Sequence, residues 1–579
     1  MIEIDPLAQA NAQQWLASNS IDKATKDIIN DMMLNNIEEF NDAFYKKLAF
    51  GTGGLRGVMG VGTNRMNKYT VAMATQGFVN YIKQNKQGQI KTVISFDSRN
   101  NSKTFAQITA RVMTANGFTV YMFENLRPTP MLSFAVRELG CDGGVMLTAS
   151  HNPKEYNGYK AYWNDGGQLV APHDTLVIEQ VDKITDFSQV HCADSMDSIT
   201  ILGEDFDQRF LAHIHALSLS QKIVKKHSSL KIAYTPLNGT GITLVPKALA
   251  MYGFKNLHTV KQQATPDGNF PTCPYPNPEE KAAMQLGLNL ANEINADILL
   301  ATDPDADRVG VGVKDLSGNF ILLNGNQTGT LLTYYILNRW QEEKRFKGNE
   351  YTIKTIVTSE LIKEVSQSFG VKSYDVLTGF KFIADKILAL EGKETYICGG
   401  EESYGFSIGD FVRDKDAIGT CCMVAECTAW AAEQGKSLFE LLLDIYVKFS
   451  FYKEDLKSIT IKGKEGAKEI EKMMSAFRYK PPKTLAGLEV VEIRDYETLF
   501  ACNLKTGAKT KICLPQSNVL QFFLSDGSKI SVRPSGTEPK IKFYFGVCHP
   551  LKTREEFDSV SQKAEEKIQT IIKELGIKA

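Results

Sequence analysis

The sequence has almost no net charge: 66 lysines and arginines stand against 67 aspartates and glutamates over 579 residues. A basic field for nucleic acid is therefore missing, and no nucleic-acid partner is expected. No apolar run reaches the roughly 18 residues of a membrane span, so no membrane partner is expected either. The most apolar helical stretch, 421–432, is interrupted by Glu426. The opening MIEIDPLAQANAQQW has neither a basic start nor an apolar centre, so no secretory signal is expected. The ten cysteines include no CxxC pair, and Cys421 and Cys422 are adjacent, a poor geometry for a mutual disulfide. Reduced thiols in a cytoplasmic protein are the expectation. The eight histidines do not cluster at metal-ligand spacing; His213 and His215 would face different sides of a helix. What remains is a globular chain long enough for several domains at about 100–200 residues each.

The rhythm along the chain supports that. The first 50 residues carry apolar positions at helical spacing. FGTGGLRGVMGVGTNRMN follows, rich enough in glycine to read as a loop that lets backbone approach something closely. Then strand-like and helical stretches alternate: KTVISFD, SKTFAQITARVMTANG, FTVYMFE, GGVMLTA. The alternation restarts at LKIAYTPLNGTG and again at YTIKTIVTS, giving three α/β units with parallel or mixed sheets and helices on both faces. From about residue 451 the pattern changes to strands around a tight loop, closed by a charged helix. In open α/β sheets, ligands sit beyond the carboxyl ends of strands. The unusual loops at those ends could therefore share one cleft.

Four loops carry chemistry. DPDADR (303–308) places Asp303, Asp305 and Asp307 at alternate positions after a buried strand. In an extended loop they can all turn inward, and only a cation offsets three crowded carboxylates. Oxygen ligands favour Mg²⁺ or Ca²⁺. An EF-hand is excluded, because its glycine and glutamate positions hold Arg308 and Lys314. In TASHNP, Ser150 ends a strand and is read as a nucleophile or a phosphate carrier, against the alternative of a surface turn. No Gly-x-Ser-x-Gly elbow surrounds it. A phosphoserine would need cations, and Arg56, Lys154, Lys160 and Arg308 are candidates. RPSGTEPK offers Arg533 as a bidentate fork, the hydroxyls of Ser535 and Thr537, and the exposed backbone of Gly536: a clamp for a phosphate that does not react. GEESYG sets Glu401 and Ser403 between glycines, suited to the vicinal hydroxyls of a sugar.

With these four loops in this order, the chain resembles the α-D-phosphohexomutase superfamily, and FGTGGLRGVMGVGTNRMN with DFVRDKDA resembles its phosphoglucomutase branch. The resemblance implies an α/β fold of four domains in a heart shape around a central cleft. Three would be related mixed-sheet domains (1–205, 206–325 and 326–450), followed by a smaller α+β domain (451–579). It implies Ser150 as the phosphorylated serine, with Asp303, Asp305, Asp307 and the serine oxygen around Mg²⁺. Glu401 and Ser403 would hold the sugar hydroxyls. Arg533, Ser535, Gly536 and Thr537 would clamp the distant phosphate, and Arg308, Thr378 and Gly379 would complete the substrate-binding set. Lys160 and Lys381 would act as general acid and base, one of them with a lowered pKa, and Arg56 would lie beside the reacting phosphate. The sugar loop departs from the GEMSGH of several bacterial phosphomannomutase relatives at Tyr404 and Gly405. The expected reaction interconverts glucose 1-phosphate and glucose 6-phosphate through glucose 1,6-bisphosphate. Phosphomannomutase, phosphopentomutase and sugar-bisphosphate synthase activities, or a non-catalytic phosphosugar-binding protein, are the alternatives. The implied partner is a phosphosugar, and the implied state a monomer or homodimer.

Overall fold

The computed structural model describes residues 3–51, 54–461, 464–535 and 540–577. Three helices open the chain, Pro6–Ala17, Lys23–Asn35 and Ile37–Phe44, each started by an Asp or Asn side chain that accepts from first-turn N–H groups. The first sheet contains β1 (Gly54–Val58), β2 (Lys91–Phe96), β3 (Thr119–Phe123), β4 (Gly143–Leu147), β5 (Tyr156–Trp163) and β6 (Thr200–Leu202). The second contains β7 (Lys231–Thr235), β8 (Asn256–Thr259), β9 (Ile298–Thr302), β10 (Val309–Lys314) and β11 (Phe320–Leu323). The third contains β12 (Glu350–Thr355), β13 (Lys372–Val376), β14 (Thr395–Gly400) and β15 (Phe406–Ile408). The fourth runs from β16 (Phe451–Thr460) through β17 (Thr484–Leu485), β18 (Leu488–Asp495), β19 (Phe500–Asn503), β20 (Lys509–Lys511), β21 (Leu520–Leu524) and β22 (Lys529–Pro534) to β23 (Lys540–His549).

Three sheets are mixed and share one plan. Their orders are β1-β5-β4-β2-β3-β6, β11-β10-β9-β7-β8 and β13-β12-β14-β15. In each, a buried strand (β4, β9 or β14) pairs in parallel with one neighbour and antiparallel with the strand that follows it. β4 and β9 are buried along their whole length, as strands covered on both faces should be. The fourth sheet is antiparallel, with the charged helix Phe557–Glu574 packed on β16 and β23. The helix Ala417–Glu433 is apolar on all sides and buried against β9, β10 and β15, which ties the second and third sheets together.

Two expectations need correction. The glycine-rich stretch after residue 50 is not all loop: Gly54–Val58 forms β1, an edge strand paired antiparallel with β5. The glycines make the pairing possible. Gly54 has φ 126°, and a Cβ there would sit 1.7 Å from the Tyr159 carbonyl oxygen. A Cβ on Gly158, opposite Arg56, would sit 2.4 Å from the Thr148 carbonyl oxygen. Second, the aspartate loop is a tight turn and not extended. The Ala306 N–H donates to the Asp303 carbonyl at 2.9 Å, and Ala306 has φ 49°.

Candidate active site

Three hairpin turns meet where β4, β9 and β14 end. Each holds one residue other than glycine in the left-handed region: Ser150 (φ 53°), Ala306 (φ 49°) and Tyr404 (φ 67°). Such a conformation costs about 1–3 kcal/mol and persists only where the surroundings enforce it. Here backbone bonds tie the Ala306 turn to the Tyr404 turn and to its surroundings, and a side-chain bond ties in Ser150. Arg308 and Gly405 form an antiparallel bridge, and the Val309 N–H donates to the Tyr404 carbonyl at 3.0 Å. The Ala417 N–H reaches the Ala306 carbonyl at 3.3 Å, and the Thr129 N–H reaches the Asp305 carbonyl at 2.8 Å.

Ser150 is buried at the junction. Its Oγ donates to Asp303 Oδ2 at 2.9 Å and lies 3.1 Å from His151 Nδ1. Asp303 Oδ1 accepts from the N–H groups of Asp307 and Arg308, both at 3.0 Å. Asp305 Oδ2 accepts from Lys160 Nζ at 2.7 Å and from the Thr129 hydroxyl at 2.9 Å. Asp307 Oδ2 lies 3.2 Å from Lys160 Nζ and 3.1 Å from Lys415 Nζ. The remaining oxygens, Asp305 Oδ1 and Asp307 Oδ1, are buried and accept no hydrogen bond. One oxygen from each of the three carboxylates lies within 4.8 Å of the others. Buried carboxylate oxygens are rarely left unpaired, and this oxygen-only set fits a hard divalent cation.

The electrostatics agree. Burial, reinforced by the charges of Asp305 and Asp307, pushes the Asp303 carboxyl well above the usual carboxylate range. Burial would also raise Asp305, but the Lys160 ammonium overrides it and holds Asp305 far below. Of the two lysines expected to move protons, Lys160 is not the lowered one: against its burial, Asp305 and Asp307 raise it. Lys381 is lowered by its burial, against the pull of Asp174. It donates to Asp174 Oδ2 at 3.4 Å and lines a second cavity of about 390 Å³, beside the main one.

The main cavity, of about 530 Å³, is reached by all four sheets: His151 from the first, Arg308 from the second, Thr378 and Ser403 from the third, Arg533 and Lys542 from the fourth. Thr378 and Arg533 line both cavities. Arg308 is held by Glu279 at 2.7 Å. Glu401 is buried, accepts from the Gly379 N–H at 2.8 Å, and is pushed up to about 7 by that burial, with Lys415 opposing. Arg56, on β1, lies in the field of Asp305, Asp307, Asp303 and Arg308. Ser535 donates its N–H to the Lys540 carbonyl at 2.7 Å. Gly536 and Thr537 lie outside the described residues. Lys154 is exposed.

Sequence reasoning missed Lys415, Thr129, Glu279 and Lys542. Lys415 sits in the quoted DFVRDKDA, where a cation flanked by acids just before an apolar helix was the available signal. Its ammonium also lies over the Phe380 ring at 5.5 Å. Thr129 and Glu279 come from segments with no such mark.

Three family models match the chain in succession: phosphoglucomutase/phosphomannomutase alpha/beta/alpha domain I over residues 47–187, domain II over 208–318 and domain III over 324–449. A phosphoglucomutase of Staphylococcus epidermidis is 36% identical over 565 residues, covering 96% of this chain and 100% of the relative. A phosphoglucomutase of Staphylococcus aureus is 38% identical over 529 residues, covering 91% and 93%. A putative phosphomannomutase from Thermus thermophilus superposes with TM-score 0.67 at 20% identity, over 91% of this chain and 99% of that one. The Paramecium phosphoprotein parafusin, a phosphoglucomutase in its open form, superposes with TM-score 0.65 at 18% identity, over 91% and 96%. Both structures are alike in fold.

Proposed function

The chain belongs to the phosphoglucomutase/phosphomannomutase family, within the α-D-phosphohexomutase superfamily, and on that premise we propose that it interconverts glucose 1-phosphate and glucose 6-phosphate. It is a phosphohexomutase, an isomerase acting by phosphoryl transfer. The observation that carries the reading is Ser150 Oγ at 2.9 Å from Asp303 in a buried carboxylate triad with two oxygens that accept no hydrogen bond, next to His151 and Arg308 of the cavity that Arg533 also lines. The preference for glucose rests on relatives at 36% and 38% identity that are named phosphoglucomutase.

In this reading Ser150 carries a phosphoryl group, and the cytoplasmic enzyme works by exchange. The 6-hydroxyl of glucose 1-phosphate attacks the phosphorus: the bond to O6 forms, the bond to Ser150 Oγ breaks, and the hydroxyl proton leaves to a base. Glucose 1,6-bisphosphate turns in the cleft. Its 1-phosphate then returns to Ser150 Oγ, releasing glucose 6-phosphate. Asp303, Asp305, Asp307 and the serine-borne oxygen would hold Mg²⁺, which when bound neutralises charge on the transferring group. Arg56 and Arg308 supply fixed positive charge at the reacting end. Glu401 and Ser403 orient the sugar through its hydroxyls, with Thr378 and Gly379 beside them. Arg533, with Ser535, Gly536 and Thr537, grips the phosphate that is not reacting. Lys160 on one side and Lys381 on the other handle the hydroxyl proton.

The test is direct. With added glucose 1,6-bisphosphate, the protein converts glucose 1-phosphate to glucose 6-phosphate in a coupled assay, faster than the mannose and ribose analogues. Its intact mass shows one phosphate. Ser150→Ala removes the mass shift and lowers kcat by at least about 10³-fold. Near-normal turnover in that variant would refute the assignment.

A further inference from the structure

Ser150 has to stay in a backbone conformation that serine disfavours while its Oγ is kept against Asp303. One side chain outside the loop is built to do this. Arg99 follows β2 and is buried. Its Nη2 donates to the carbonyl oxygens of Ser150, at 2.5 Å, and of Asn152. Its Nη1 donates to the carbonyls of Pro153 at 2.8 Å and Tyr156 at 3.1 Å. Three carbonyls of the loop and that of Tyr156, where β5 begins, converge on a single planar cation.

Arg99 is itself fixed from two sides. Asp97 Oδ2 lies 3.4 Å from its Nε, and Asp97 Oδ1 accepts from the Arg99 N–H at 2.9 Å and the Ser102 hydroxyl at 2.7 Å. The Phe270 ring, from the domain that supplies the aspartates, stands 5.0 Å from the guanidinium carbon. Nearby, a Cβ on Gly268 would sit 2.3 Å from the Asn100 nitrogen, and Asn100 donates to Asn269 at 3.0 Å.

We propose that Arg99 is the positioning residue of the phosphate-carrying loop. It sets Ser150 Oγ relative to the aspartates by gripping the loop backbone while Phe270 holds it against the neighbouring domain. The proposal rests on the mutase reading above. Arginine is required because its fork presents five donors in a fixed plane, whereas lysine presents three around a point. Arg99 touches none of the reacting atoms. When the serine is phosphorylated, Ser150 Oγ bonds the phosphorus of the sugar 1-phosphate, the bond to the anomeric oxygen breaks, and the serine proton goes to that oxygen. Arg99 only decides where Oγ stands, and a displacement of about 1 Å costs about 10²-fold in rate.

The experiment compares wild type, Arg99→Lys and Phe270→Leu. Each dephosphorylated protein is mixed with glucose 1,6-bisphosphate and Mg²⁺, and phosphate uptake is followed by intact mass alongside kcat, KM and circular dichroism. We expect Arg99→Lys to fold, to be phosphorylated about 10²-fold more slowly, and to lose kcat by the same factor with KM within about threefold. Phe270→Leu keeps all four hydrogen bonds and should slow phosphorylation about three- to tenfold at unchanged KM. A folded Arg99→Lys phosphorylated at the wild-type rate overturns the proposal. If Arg99→Lys does not fold, Phe270→Leu decides, and a wild-type rate there overturns it. Wild type that takes up no phosphate overturns the mutase reading, and this proposal with it.

Discussion

Gly405 is a residue defined by its neighbour. A Cβ there would lie 2.0 Å from Lys415 Cδ. The sequence shows Gly405 where the GEMSGH loops carry histidine; in the structure the stem of Lys415 occupies the space a side chain there would need, and its ammonium reaches Asp307. Composition could not reveal this, because the requirement for glycine comes from a residue ten positions on that meets it through space. The triad and Ser150 were legible because each chemistry lies within one short loop behind a buried strand. Arg99, Lys415 and Thr129 were not, because they act on a loop from outside it. Glu401 gives a residue-scale prediction. In the reading proposed above, its carboxyl, pushed up to about 7 by burial, accepts sugar hydroxyl protons best when ionised. KM for glucose 1-phosphate should therefore rise as pH falls through 7, beyond the change from the substrate's own ionisation near pH 6. Glu401→Gln should raise KM about tenfold at pH 8 and flatten the step at 7. A kcat/KM profile of both proteins between about pH 5.5 and 8.5 checks this. Since the folded value lies above the ordinary 4.5, the same group adds stability as pH falls from 7 towards 4.5.

At the scale of elements, one device appears three times: a buried parallel strand, a turn with a left-handed residue, and an antiparallel return strand. The alternation of strands and helices announced the sheets. It did not announce the return strands as hairpin partners, nor that Ser150, Ala306 and Tyr404 would occupy a conformation usually left to glycine. β1 escaped because its short, glycine-broken GLRGV has little alternation; what makes it a strand is β5 lying alongside. Gly158 is the contact point of that pair. Gly158→Ala should force β5 away from the Thr148 carbonyl and destabilise the protein by about 1–3 kcal/mol. The displacement lies at the root of the Ser150 loop, so kcat should fall more than KM changes. Urea unfolding and steady-state kinetics on the same preparation test both statements. An alanine variant with wild-type stability and turnover would contradict the crowding.

For the whole molecule, the third and fourth sheets meet over buried charge. Lys354 Nζ, fully buried, lies 2.8 Å from Glu360 and 2.9 Å from Asp375. Lys529, from β22, reaches Glu360 at 2.6 Å and the carbonyls of Ile356 and Thr358, both at 2.9 Å. Lys354→Met would leave Glu360 on Lys529 alone and Asp375 with only Arg494 at 4.0 Å, and should cost about 3–5 kcal/mol, read from urea or thermal unfolding. None of this was visible from sequence, where these lysines look like any surface charge.

The seams between the four sheets differ in kind. Around the aspartates, the first three are joined by main-chain bonds such as Thr129 to Asp305 and Ala417 to Ala306. Among the described residues, the fourth is fastened to the third through side chains, with Gln521 and Lys529 on the Ile356 carbonyl and Tyr452 on Glu364. Side-chain fasteners release and re-form without unravelling a strand. A substitution at Gln521, Lys529 or Tyr452 therefore loosens the sheet bearing Arg533, while the main-chain joints around the acidic nest stay whole.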